Sequence, residues 1–372
     1  MLNFNYYMPT KIVCGRGCVV REGAQMQALG THALIVTGKS SAKNGALDDV
    51  LTALGNNGQR ATVFDRVTPN PTIACVREGV ALLVSAGADF IVAVGGGSPM
   101  DAAKAIATLC VQERSDEEIF AGGYEAKALP MAHVPTTAGT GSEVTPYAIL
   151  TNDFKETKTS ITSPAMFPRV AFLDGRYMKD LPTMSAVNTA MDAFSHAVEG
   201  MLSRNATPMS DMLAKESLRI LYPLLPGTKG ETTDDERDAL LYASMLAGMT
   251  IAQSGTTAVH GMGYCLTYFH NVDHGRANGL LLGETLRLCR EKGVPALEEI
   301  LSACGDTLEG VCDTLDDLLG VREDLPAAEL REYARRSAQN KNIKKSAYEP
   351  TETELERIFM ASCHTSRDKL LT

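Results

Sequence analysis

In the first hundred residues, short β-rich runs alternate with segments of helical spacing, and this alternation limits the possible folds more than any other feature of the chain. The runs Ala33 to Thr37, Ala61 to Phe64 and Phe90 to Val94 are dense in branched and aromatic residues. Helical patterns lie near Asp48 to Leu54 and Thr72 to Ala86, and a third opens at Ser98 with Pro99 at its first helical position. Strands joined through helices run parallel, because each helix carries the chain back across a face of the sheet. Ligands of such sheets bind at the carboxyl ends of the strands. From about Leu181 the β signals fade, and Asp238 to Ser254 and Leu297 to Leu319 carry apolar residues at helical spacing. At 372 residues the chain exceeds one ordinary core. The expectation is an α/β domain over residues 1–180 and an all-α domain over 181–372, divided near Asp180 to Pro182.

A formal net charge of −10 argues against nucleic acid or an anionic membrane as partner, since both demand a basic footprint. No window has the length of an apolar membrane span, and the N-terminal MLNFNYYMPTKIV lacks the pattern of a signal peptide. The nine cysteines include no Cys-x-x-Cys pair, so they suggest neither a disulfide framework nor a thiolate zinc site. Cys14 and Cys18, the nearest pair, read as small buried or surface thiols, and a cytoplasmic home follows. The charged segments Glu231 to Asp238 and Asn340 to Lys345 read as solvated loops or helix starts.

Two loops suit a dinucleotide. Gly95, Gly96, Gly97 and Ser98 follow a buried-looking strand and open a helix, where backbone N–H groups and the helix dipole can accept a pyrophosphate. Asp101 follows in the first turn, placed to cap the helix or meet a cofactor hydroxyl, with Lys104 one turn on. The spacing is not G-x-G-x-x-G, so this turn alone is a weak signal. The second loop, Pro135 to Thr145, gathers Thr136, Thr137, Thr140, Ser142 and Thr145 after another apolar stretch, and its hydroxyls suit phosphate and ribose oxygens. Each loop could equally be a turn that satisfies its own backbone.

The second half offers metal chemistry. Asp192 and His196 stand four apart on one helical face. Such a pair more often merely stabilises a helix. However, three of the seven histidines, His260, His270 and His274, crowd into one further segment. One carboxylate and three neutral imidazoles, from Asp192, His196, His260 and His274, suit Fe²⁺ or Zn²⁺ and leave an open position. His270 stands four residues before His274, so spacing alone leaves it open as a ligand; a pocket-lining or structural place suits it at least as well.

The segments GGGSPMDAAKA, PTTAGTGSEVT, MDAFSHAVEG and VHGMGYCLTYFHNVDHG, in this order and at these separations, resemble the iron-containing alcohol dehydrogenases. The resemblance runs from Tyr7 to the C-terminal helices. It implies a Rossmann-like dinucleotide-binding domain followed by a helical metal-binding domain, the architecture shared with dehydroquinate synthases. It further implies that Asp192, His196, His260 and His274 hold the metal. By the same resemblance Gly95 to Ser98 hold the pyrophosphate, Thr136, Thr137 and Thr140 meet phosphate or ribose, Lys158 approaches the ribose near the nicotinamide, and Asn70 lies on the cofactor side. The implied activity is hydride transfer between NAD(P)(H) and a small primary alcohol or aldehyde. Fe²⁺ is the expected ion, with Zn²⁺ or Mn²⁺ as substitutes, in a homodimer or larger assembly.

Two departures from the family pattern carry consequences. Where many NAD-preferring relatives have an acidic residue after the first strand, this chain has Gly38. With Lys39, Ser40 and Lys43 beside it to meet a 2′-phosphate, NADP(H) is favoured over NAD(H). Four residues after His260, where many relatives place a histidine that passes protons outward, this chain has Tyr264, whose hydroxyl could still relay a proton but is a poorer exchanger near neutral pH. Tyr147, Phe269, His270 and Arg276 are the expected pocket residues. Rival readings are a zinc-type glycerol dehydrogenase, a dehydroquinate synthase-like lyase and an inactive binding protein. The lyase would need several basic residues near the metal segments, which supply Arg276, and an inactive relative would be expected to lose ligands.

Overall fold

The computed structural model describes residues 3–39 and 43–364. Its strands are β1 (Lys11–Cys14), β2 (His32–Thr37), β3 (Arg60–Phe64), β4 (Phe90–Gly95), β5 (Met131–Pro135), β6 (Tyr147–Asn152), β7 (Thr157–Thr162) and β8 (Val170–Leu173). Six of them form one parallel sheet in the order β1-β8-β5-β4-β2-β3, while β6 and β7 form an antiparallel hairpin. Between the strands run α1 (Cys18–Arg21), α2 (Ala46–Asn56), α3 (Ile73–Ala86) and α4 (Gly97–Leu109).

The near-continuous apolar runs of β2 and β4 follow from burial on both faces of a parallel sheet. Leu34, Val36, Ile91 and Ala93 face one core with Phe64, Val76 and Ile106. Their strand neighbours Ala33, Ile35, Phe90 and Val92 face the other, with Met26, Val50 and Leu54. Each fully buried Leu, Ile or Phe contributes on the order of 1.5–3 kcal/mol, so both faces specify the register.

The second half consists of α5 (Thr183–Met201), α6 (Pro208–Leu224), α7 (Asp234–Ser254), α8 (Ala258–His270), α9 (His274–Glu291), α10 (Ala296–Cys304), α11 (Leu308–Leu319), α12 (Ala327–Ala338) and α13 (Glu352–Cys363). α5 is buried almost all round from Val187 onward, with α6, α7 and α9 packed against it. Among the described residues no helix is long and apolar enough to cross a membrane.

Four details differ from the sequence expectation. Leu297 to Leu319 is two helices, because Gly305 adopts the left-handed region at φ +70 and Thr307 caps α11 by accepting from the Gly310 N–H. α4 begins at Gly97, which makes Pro99 its third residue. The β6–β7 hairpin was not anticipated, and it carries Lys158. In residues 340–345, Asn342 and Ile343 are buried, so the segment is not simply a solvated loop.

Candidate active site

Three helices supply the candidate metal ligands. α5 presents Asp192 and His196 one turn apart, α8 presents His260, and His274 is the first residue of α9. The Nε2 atoms of His196 and His260 are 3.0 Å apart, and Asp192 Oδ1 lies 3.7 Å from each of them and 3.8 Å from His274 Nε2. All but the half-buried His274 are buried.

The far nitrogens of His196 and His260 set the tautomers of those two rings. His196 Nδ1 donates to the Gly139 carbonyl at 3.2 Å, which ties the metal half to the threonine-rich loop. His260 Nδ1 donates to Glu199 Oε2. The neutral rings therefore turn their Nε2 lone pairs toward each other and toward the Asp192 carboxylate. Such a buried cluster of lone pairs is repulsive by itself, and a cation among them relieves the repulsion. Three nitrogens and one oxygen are a donor set that fits a divalent transition metal. The Asn278 amide also aims Nδ2 at the cluster, 2.9 Å from Asp192 Oδ1 and 3.1 Å from His260 Nε2.

Charge is arranged to match. Burial acts to raise Asp192, but the imidazoles of His196, His274 and His260 outweigh it and hold the carboxyl at about 2. Burial, with Lys158 second, lowers His274 well below the ordinary imidazole value, which keeps it neutral as a ligand must be. Burial also acts to lower His260, yet Glu199 overrides it and leaves that ring more basic. The other Glu199 oxygen accepts from the Thr257 N–H and hydroxyl at 2.8 and 2.7 Å. Glu199→Gln keeps the shape and removes the charge. Metal affinity is then expected to fall roughly 10- to 100-fold in competition with a chelator, and unchanged affinity would reject this role for Glu199.

Opposite this cluster the two dinucleotide loops interlock. Gly95 has φ +146, and a Cβ there would lie 2.7 Å from Pro99 Cγ; a Cβ on Gly97 would lie 2.6 Å from Thr140 Cγ2. The Thr136 N–H donates to the Gly95 carbonyl at 3.0 Å, and Thr137 packs against Gly96. The buried Lys104 binds Ser142 Oγ, Thr145 Oγ1 and the Tyr147 carbonyl at 2.7, 3.1 and 2.9 Å. Asp101 accepts from Ser142 Oγ at 2.7 Å and from the Ile149 N–H at 3.0 Å, so it braces the loop rather than capping α4. Between the halves lies a cleft of about 400 Å³, with Asn70, Ser98 and Thr140 on one wall and Asp192, His260 and His274 on the other.

Comparison with known proteins agrees. Residues 9–175 match the family model for iron-containing alcohol dehydrogenase, and residues 186–357 match that for the C-terminal domain of the Fe-containing family. The chain belongs to the iron-containing alcohol dehydrogenase family. It is 33% identical over 301 residues to the lactaldehyde reductase of Escherichia coli K12, covering 80% of this chain and 78% of that one. It is 34% identical over 319 residues to the 1,3-propanediol dehydrogenase of Klebsiella pneumoniae, covering 84% and 82%. The crystal structure of an iron-containing alcohol dehydrogenase from Thermotoga maritima superimposes with a TM-score of 0.89 at 36% identity, covering 97% of this chain and 99% of that one. That of a sulfoacetaldehyde reductase from Bifidobacterium kashiwanohense in complex with NAD⁺ gives 0.87 at 28% identity, covering 98% and 100%. The protein is a metal-dependent, nicotinamide-linked alcohol or aldehyde oxidoreductase.

In this iron-containing alcohol dehydrogenase the sequence-based candidates divide by position. Asn70, Gly97, Ser98, Asp101, Thr140 and Thr145 line the cleft, as do Lys158 and Tyr264. Gly95, Gly96, Thr136 and Thr137 form the packed floor beneath the glycine turn. Gly38 directly follows the β2 strand at a crowded point, where a Cβ would lie 3.1 Å from the Val67 carbonyl. Ser40 lies outside the described residues. His270 is not brought to the cluster: its Nε2 meets Tyr333 Oη at 2.8 Å and Glu329 Oε2 at 3.0 Å on α12. Phe269 stacks on Tyr333 at 5.4 Å and Arg276 pairs with Glu323 at 2.6 Å, so of the expected pocket residues Tyr147 alone reaches the cleft. Tyr264 stacks on His274 with the rings 5.9 Å apart and lies under Lys158 Nζ at 6.0 Å, and burial drives its hydroxyl far above the ordinary value. Sequence reasoning passed over Glu199 and Asn278. The signal for Glu199 was its place three residues after His196, on the ligand face of the same helix.

Proposed function

We propose that this chain interconverts a short primary alcohol and its aldehyde with NADP(H) in preference to NAD(H), holding Fe²⁺ through Asp192, His196, His260 and His274. The observation that carries the reading is the convergence of these four donors on one wall of a cleft whose other wall is the interlocked pair of dinucleotide loops. When bound, the divalent ion polarises the substrate oxygen and the nicotinamide accepts or gives the hydride. The chain's own residues orient both. The glycine turn at the start of α4 offers backbone N–H groups to the pyrophosphate, and Thr140 and Ser98 add hydroxyls beside it. Lys158 faces the ribose side; burial pulls its ammonium down to about 8, against the opposing pull of Asp101, Asp192 and Asp273. With its hydroxyl raised by burial, Tyr264 serves as a wall beside His274 rather than as a proton relay.

The preference for NADP(H) rests on Gly38, which leaves no carboxylate to repel a 2′-phosphate, and on the exposed Lys39 and Lys43 flanking it. NAD(H), the partner named for the sulfoacetaldehyde reductase complex, is the alternative. Gly38→Asp is expected to move the NADPH to NADH ratio of kcat/KM at least tenfold toward NADH, about 1.4 kcal/mol. Gly38→Ala serves as control for crowding against Val67. The lactaldehyde reductase and 1,3-propanediol dehydrogenase relatives support a short oxygenated substrate. The nine free cysteines are consistent with a cytoplasmic enzyme. A homodimer or larger assembly and a domain division at residues 180/181, between β8 and α5, complete the reading.

The testing experiment is anaerobic oxidation of NADPH and NADH with short aldehydes, using chelator-treated protein restored with Fe²⁺, Zn²⁺ or Mn²⁺. Restoration, highest with Fe²⁺ and with NADPH, is the expected result. Undiminished turnover after metal removal would overturn the metal assignment, and faster NADH oxidation would overturn the cofactor preference alone.

A further inference from the structure

Residues 341–345, from the helical half, form part of the cleft wall: Lys341, Asn342 and Lys345 all line it. Their backbone is fixed from several sides. The Lys345 carbonyl accepts from the Arg204 N–H and the Ala347 N–H donates to the Leu202 carbonyl, both at 2.7 Å. Ile343 packs on Gly261, the residue after His260, where a Cβ would lie 3.1 Å from Ile343 Cδ1. Asn342 donates to Thr256 Oγ1 at 3.2 Å. The Lys345 side chain lies across Gly255, so close that a Cβ there would sit 2.9 Å from Nζ. These contacts seat the segment directly beside the helix that presents His260.

Among the described residues neither Lys341 nor Lys345 has an ion-pair or side-chain hydrogen-bond partner, although acidic side chains outnumber basic ones 45 to 35. The anion felt by Lys345 is Glu199, whose oxygens are already taken by Thr257 and His260. Burial and the neighbouring Lys341 lower the Lys345 ammonium. Two cations without a protein counter-ion thus face the same cleft as the donor cluster.

We propose that Lys341 and Lys345 receive the anionic end of a short bifunctional substrate whose alcohol or aldehyde carbon lies at the Asp192–His196–His260–His274 cluster. The substrate class is an ω-anionic aldehyde or alcohol, in which a carboxylate, sulfonate or phosphate provides the negative end. This rests on the oxidoreductase reading above. The redox step is unchanged: in reduction NADPH gives a hydride to the carbonyl carbon and a proton from solvent completes the alcohol; oxidation is the reverse. A charged end held by two ammonium groups supplies binding energy remote from the reacting carbon, which the enzyme can use for orientation.

The test uses metal-loaded enzyme and three matched aldehyde pairs: 4-oxobutanoate against butanal, sulfoacetaldehyde against acetaldehyde, and glyceraldehyde 3-phosphate against glyceraldehyde. The expected result is at least a tenfold kcat/KM preference for the anionic member of one pair, which identifies the anion. K341M and K345M should each reduce that preference, mainly through KM, and the double variant should reduce it on the order of 10- to 100-fold, with K345R retaining most of it. A preference near one in all three pairs, or an equal preference in the double variant, overturns the proposal while leaving the oxidoreductase reading intact. Silence with every aldehyde counts against that reading instead. Calorimetric titration with propane-1-sulfonate, a poor metal ligand, then decides the anion site separately: tenfold weaker binding in the double variant supports it, and equal binding overturns it.

Discussion

His274→Ala is expected to leave the protein without retained metal and to lower kcat/KM by roughly 10³-fold or more, because the several kcal/mol of charge stabilisation that a bound ion provides is lost with it. The donor set makes this a steep loss. Among the described residues His274 has no hydrogen-bond partner at Nδ1, while its Nε2 approaches Asp192 Oδ1 at 3.8 Å, so the ring's polar contacts lie on the side of the cluster. The side chain is 23% exposed at the first residue of α9, and its removal relieves one member of a repulsive lone-pair cluster, so the thermal midpoint of the metal-free protein should change little. Elemental analysis and aldehyde-dependent NADPH oxidation on the same preparation test the two losses together. His270→Ala is the matched control, expected to keep both, since that ring is turned toward Tyr333 and Glu329. Full metal occupancy with ordinary turnover in His274→Ala, or metal loss in His270→Ala, would reverse the assignment.

The contrast between these two histidines shows where sequence reading ends. Asp192 and His196 were legible as a pair because helical periodicity fixes which residues share a face. His260, His270 and His274 could not be ranked by spacing, since the chain breaks between α8 and α9 at Asn271, which adopts φ +52. That left-handed residue ends the helix on which His270 points away and lets α9 begin at His274 in a new direction. The parallel sheet was legible for a similar reason: continuous apolar runs in β2 and β4 have few other uses. The β6–β7 hairpin was not, because its second strand, Thr157–Thr162, carries one apolar residue, Ile161, among threonines, a serine and a lysine, and so reads as loop. Residues 340–345 look solvated by composition, yet Asn342 and Ile343 are drawn inward by Thr256 and Gly261, partners about eighty residues away in the chain. Long-range partners of this kind leave no local signature.

Lys104→Met is expected to cost about 3–5 kcal/mol of stability, the usual consequence of removing one member of a buried charged network. Methionine preserves the length and the apolar stem but leaves the Ser142 and Thr145 hydroxyls and the Tyr147 carbonyl without their shared donor, and the buried Asp101 carboxyl without its nearby positive charge. Glu143 is buried too, and burial already pushes its carboxyl up to about 7 with Lys104 opposing. The network ties α4 to the loop that carries Thr140, so NADPH affinity should fall along with stability. The chain has no tryptophan, and urea unfolding is best followed by far-ultraviolet circular dichroism. Adding Asp101→Asn should restore part of the loss, with a coupling of roughly 0.5–3 kcal/mol. A loss below about 1 kcal/mol in the single variant would mean that the network is solvated or dispensable. The pH dependence offers a second signature. Burial lowers the Lys104 ammonium to about 8, against Asp101 and Glu143, so between that pH and the ordinary lysine value the unfolded chain binds more protons than the folded one. Wild-type stability should therefore gain an upward contribution as pH rises through this window, and the contribution should be absent from Lys104→Met. Parallel pH profiles for the two proteins would show that Lys104 keeps its ordinary value in the fold and would overturn the burial argument.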